Sequence, residues 1–196
     1  ADDDDEALLW KTKSVGKIRS HTVVEDSTGK QVATIITEKK GMASITNYVC
    51  RSVPSFEGQS PLTEEELKKA GITNKDKDDK EFLLYQFARI ETSRKWTTAK
   101  CTYDIVAGED DFRTLYVGEK LSSLGFRAIF KEIAANADGK EDDGGIVVAK
   151  AFMPGVSMSP HVDAAIGVDL LAIVSMGYAL AGDESAAGAL AGAGVV

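Results

Sequence analysis

Apolar and polar residues alternate along most of this chain in short runs, and turn-forming residues separate the runs. Leu8 to Lys13, Arg19 to Glu25, Val32 to Thr37 and Ala43 to Cys50 read as strands, several of them β-branched. Between the second and third, Asp26-Ser-Thr-Gly29 is a turn signal. Asp opens such a turn and Gly supplies a left-handed position. Phe82 to Ile90, Lys95 to Ala107, Phe112 to Val117, Phe126 to Phe130 and Ile146 to Phe152 continue the pattern, with Met158 to Ala165 as a last strand. The spacing predicts nine or ten short strands of a sandwich or barrel. No alternation of strands and long helices is present, which argues against a parallel sheet.

Two stretches break the pattern. Val53 to Lys80 carries Pro54, Gly58 and Pro61. Within it Thr63-Glu-Glu-Glu66 fits a capping box and Gly71 a helix stop, so a short surface helix is expected over Thr63 to Ala70. The second stretch is Ala164 to Gly182, AAIGVDLLAIVSMGYALAG, which is apolar at every helical angle. A helix without a polar face is covered on all sides, by protein or by lipid. Its length is about that of a membrane span. Asp169 near its start, and Gly167, Gly177 and several Ala along it, make it thin and poorly suited to lipid. A sleeve of strands around one central helix is the expected solution.

Composition changes this picture little. The 196 residues are 43% hydrophobic and 28% charged, as in an ordinary globular protein. The net charge of -8 offers no excess of Lys and Arg for phosphate neutralisation, so nucleic acid is not an expected partner. Acidic clusters at Asp2 to Glu6, Asp76 to Glu81, Glu109 to Asp111 and Glu141 to Asp143 read as solvated ends and loops. Cys50 and Cys101 are too few for a disulfide framework and read as reduced core thiols. The expected organisation is an acidic flexible terminus at 1–7, one domain at 8–184 with an insertion at 53–80, and an Ala/Gly-rich tail at 185–196. The expected location is intracellular, cytoplasmic or organellar after presequence removal.

Three local patterns together carry a resemblance: the turn and strand Glu25-Asp-Ser-Thr-Gly29-Lys-Gln-Val-Ala-Thr-Ile-Ile36, the late strand Gly145-Ile-Val-Val-Ala-Lys150, and Gly167-Val-Asp169 opening an Ala-rich helix. In these the chain resembles the tubby C-terminal-like superfamily, and within it the LURP-one-related proteins, with phospholipid scramblases as relatives. The resemblance implies a closed antiparallel β-barrel around a central hydrophobic C-terminal helix. It also implies association with phosphoinositide head groups. The insertion at 53–80 departs from the family pattern. So does the segment before the helix, where only Asp163 and Asp169 stand and no calcium site is carried over.

Candidate chemistry is sparse. His161 lies near Asp163, and His21 lies beside basic residues, but neither has a third ligand at metal spacing. No cofactor motif appears, and no nucleophile, base and orienting group assemble. Asp169 is expected to cap its helix, with Gly167 and Gly177 as structural glycines. The one basic patch is Lys11, Lys13, Lys17 and Arg19, with Lys39 and Lys40 across the hairpin. Such a cluster suits an anionic lipid surface. The leading expectation is therefore a non-enzymatic tubby-like binding or scaffold module with a protein partner, as an accessory subunit of a larger assembly. The alternatives are a peripheral phosphoinositide-binding module using that patch, and a single-pass protein anchored by 164–182.

Overall fold

The computed structural model describes residues 9–13, 19–26, 28–39, 44–73, 83–94, 98–109, 111–121, 127–133, 145–152 and 161–181. The strands are β1 (Leu9–Lys13), β2 (Arg19–Glu25), β3 (Gln31–Lys39), β4 (Ser44–Arg51), β5 (Tyr85–Arg94), β6 (Ala99–Gly108), β7 (Asp111–Lys120), β8 (Arg127–Glu132), β9 (Ile146–Phe152) and β10 (His161–Ala164). The helices are α1 (Glu64–Lys69), between β4 and β5, and α2 (Leu170–Ala181), after β10. The ten strands form one antiparallel sheet in chain order, each paired with the next. The local signals explain this meander. At the β2–β3 turn, Asp26 Oδ1 accepts from the Thr28 N–H at 2.9 Å and the Lys30 N–H at 3.0 Å. Gly29 there holds φ at 81°.

The sheet has two covered faces. On the inner face Val24, Ile35, Val49, Ile90, Tyr103 and Phe130 form the main core with Ile173, Met176 and Leu180 of α2. On the outer face a smaller cluster joins Ile36, Cys50 and Leu84 to Leu67 and Ala70. β3 lies between the two, which is why Ala33 to Thr37 are buried without alternation. β6 has its outer face more open, and there buried Ala99, Cys101 and Tyr103 alternate with exposed Lys100 and half-buried Thr102. The two cysteines consequently sit on opposite faces, both free and buried.

The closed β-barrel expected from the resemblance is corrected by the sheet order. β1 pairs with β2 and β10 pairs with β9, and among the described residues no pairing joins β1 to β10. The sheet is open. Irregular registers at Val24/Glu25, Val49/Cys50, Tyr103/Asp104, Val106/Gly108 and Phe130/Lys131 bend it. α2 packs chiefly on the middle strands β4–β8. Burial follows that placement: Ala172, Ile173, Ser175 and Met176 are enclosed. Leu170, Val174 and Tyr178, one stripe at helical spacing, are only half-buried.

The expected continuous apolar helix over 164–182 is corrected as well. Of the expected 164–182 span, Ala164 completes β10, Ile166 and Gly167 make a turn, and the helix itself has 12 residues. At 1.5 Å per residue it is about 18 Å long, well short of a bilayer core of about 30 Å. No helix among the described residues is long and apolar enough to cross a membrane. At the centre of α2, Met176 meets the sheet where β7 carries Gly118. A Cβ on that glycine would lie 2.9 Å from Cys101 Sγ and 3.0 Å from Met176 Cε.

Candidate functional site

Charged and polar side chains meet at the start of α2. Asp169 Oδ1 accepts from the Leu171 and Ala172 N–H groups at 2.9 and 3.3 Å, an N-cap as its position before the apolar run predicts. Gly167 holds φ at 86°, a conformation that disfavours any side chain. Gly177 is buried within the helix. Arg51 at the end of β4 places one guanidinium nitrogen 3.9 Å from Asp169 Oδ2 and lies 3.6 Å over the Phe87 ring. The rings of Tyr103 and Tyr116 are 6.1 Å apart. Tyr116 forms a hydrogen bond with the backbone of Asp169. The sequence pointed to Asp169 alone; Arg51 and the two tyrosines join it from strands distant in the chain.

The acid–base character of this region is muted. Burial pushes the Tyr103 hydroxyl well above its ordinary range, and the nearby Asp169 carboxylate adds to the shift. Burial also raises the Tyr116 hydroxyl, against the opposing effect of its bond to Asp169. The Cys50 thiol is pushed up to about 12 by burial, and the Cys101 thiol is raised further by the same cause. Reactive cysteines need the opposite environment, one that favours thiolate. These groups are arranged to pack.

The basic patch is only partly brought together. Lys11 pairs in register with Val23, Lys13 with His21, and Arg19 with Glu38. Lys39, exposed, pairs with Ile45. Lys13, Arg19 and Lys39 thus share the end of the sheet away from the start of α2, with the carboxylate-bearing Glu38 directly opposite Arg19. Lys17 and Lys40 lie outside the described residues.

His21 has a structural role. It is buried, and its Nδ1 is 2.9 Å from the carbonyl oxygen of Ala70 at the end of α1. His161 pairs in register with Phe152, and exposed Asp163 with Lys150. Among the described residues no group of three or more His, Cys, Asp or Glu could hold a metal ion.

A surface the sequence did not single out lies around the start of α2. Six large hydrophobic residues are exposed among the described residues: Val53, Leu83, Leu121, Ile146, Val147 and Ile166. Val53 and Leu83 flank the paired ends of β4 and β5, and Ile146, Val147 and Ile166 lie at the start of β9 and the turn into α2. Val53 follows Arg51, which reaches Asp169, and Leu83 precedes Tyr85, the register partner of Arg51. Ile146 pairs with Glu132, which in turn pairs with Tyr116. Ala165 donates its N–H to the Val148 carbonyl at 2.8 Å, bringing Ile166 alongside β9. Ile166 is 105% exposed, at the tip of the turn into α2.

No family model, no curated protein and no solved structure matches this chain.

Proposed function

We propose that the chain is a non-enzymatic, tubby-like (LURP-one-related) binding or scaffold module, acting as an accessory subunit of a larger assembly. The observation that supports this reading is the exposure of Ile146, Val147 and Ile166 side by side at the start of β9 and the turn into α2. Exposed apolar residues scattered singly need no explanation, but a local concentration marks an interaction surface. Ile166 at a turn tip is shaped as a knob for a partner's pocket. The muted thiol and phenol groups are in keeping with a binding role.

The test is co-purification of the native assembly with the parent chain and with a chain carrying Ile166→Glu and Val147→Glu. The parent should retain a defined partner at moderate salt, and the double variant should lose that same partner while keeping its melting temperature. Retention of the partner by the variant, or a parent that elutes alone, would reject the reading.

A further inference from the structure

We propose that the groove across β5–β8, on the sheet face opposite α2, binds a short zwitterionic peptide of about dipeptide size, its ammonium at Glu91 and its carboxylate at Lys131. The groove is a cavity of about 400 Å³. That volume lies within the range of small-molecule sites, roughly 300–1,000 Å³. It occupies the half of the outer face that α1 leaves uncovered. Among its lining residues, Val117, Ile129 and Ile133 are half-buried apolar side chains.

The strand register orders the polar residues of the lining. One row across the sheet reads Ser93, Lys100, Glu119, Ile129. The next row reads Glu91, Thr102, Val117, Lys131. In the second row an acid stands on one wall and a base on the other, with the neutral pair Thr102 and Val117 between them. Three strand spacings separate the two walls, about 14 Å between backbones. Both side chains line one cavity, so the span left for a ligand is shorter, of the order of the 7 Å that two extended residues cover.

The charge pattern selects the ligand class. Acids and bases alternate around the neutral pair, so a simple anion would meet Glu119 or Glu91 and a simple cation Lys100 or Lys131. A molecule with one charge of each sign at its two ends meets the pattern with complementary charges at both walls. The present ion pairs do not block this. Lys100 Nζ is 3.6 Å from Glu119 Oε1, and Arg89 Nε is 3.4 Å from Glu91 Oε1. Lys131 also has an interaction of its own. Exposed pairs of this kind are held weakly in water and exchange readily for ligand charges.

The test is a titration of the full chain, methyl-labelled at Ile and Val, with L-alanyl-L-leucine, followed by NMR. Saturable shifts of Val117, Ile129 and Ile133 methyls are expected by about 10 mM peptide, the regime of a millimolar site. Glu91→Gln and Lys131→Gln should each weaken binding by about tenfold, as should N-acetylation with C-amidation of the peptide. Shifts that are absent, that map elsewhere, or that are indifferent to these charge changes would overturn the proposal. Val147 pairs in register with Lys131, so the two surfaces adjoin at β8–β9, but peptide binding and partner retention are separate readouts and each reading keeps its own test.

Discussion

Single residues set the local stability of this protein in ways that can be checked. Asp169 satisfies two N–H groups at the start of α2. Asp169→Ala should cost about 1 kcal/mol in urea unfolding; an unchanged midpoint would show that water replaces the cap without loss. Asp26 is held below its ordinary value of 3.8, first by the Thr28 hydroxyl and then by backbone N–H groups of Lys30 and Thr28. Its native carboxylate therefore takes up a proton less readily than the unfolded one. The resulting stabilisation is complete above pH 3.8 and is lost as pH falls through the lower native value. The stability gap between the parent and Asp26→Ala should narrow in that acid window; a gap constant with pH would contradict it. Gly118 is different, because its need arises from packing. Gly118→Ala should cost roughly 1–3 kcal/mol by overpacking against Cys101 and Met176. Cys101→Ala in the same chain should restore part of it. The capping Asp and the turn Asp were legible in the sequence because their partners are a few residues away. The demand on Gly118 was not, because its neighbours come from β6, β8 and α2.

The elements mostly follow their local signals. α1 begins at Thr63 with the full capping box that the Thr63-Glu-Glu-Glu66 pattern predicts. β2 and β9 occupy the expected Arg19 to Glu25 and Ile146 to Phe152. β5 and β6 start later than expected, at Tyr85 and Ala99. The docking of the insertion was not legible: Leu67 and Ala70 pack on Ile36, Cys50 and Leu84, and His21 reaches the Ala70 carbonyl. This gives α1 a measurable function as the cover of Cys50. Leu67→Ala should destabilise that cover by about 2–3 kcal/mol. Thiol labelling of the native protein should then quicken at Cys50 and stay slow at Cys101, which lies on the other face. Equal acceleration at both thiols would mean that the insertion and the main sheet unfold as one unit.

At the scale of the whole molecule, binding to anionic lipid provides a further test. Lys13, Arg19 and Lys39 share one end of the sheet, yet Glu38 is the register partner of Arg19 and the net charge is -8. Binding to phosphoinositide liposomes should be weak and should fall steeply with salt, since surface attraction decays over roughly 8 Å at physiological ionic strength. Replacing Lys11, Lys13, Lys17 and Arg19 with Gln should abolish it; tight, salt-resistant binding would place the membrane reading ahead of the scaffold reading. The sequence by itself determined the strand-rich class, the turns, the capped helices and the burial of an apolar C-terminal helix. Each of these rests on interactions within a few residues or on a hydrophobic period. Only the tertiary structure decided that the sheet stays open, since closure depends on whether the edges of β1 and β10 meet after curvature has accumulated across ten strands. It also decided the two surfaces of interest. Ile146, Val147 and Ile166 are brought together by the pairing of β9 and β10, and Glu91 and Lys131 share one row, through strand register. Register is fixed by pairing between segments far apart in the chain, where local propensity has no reach.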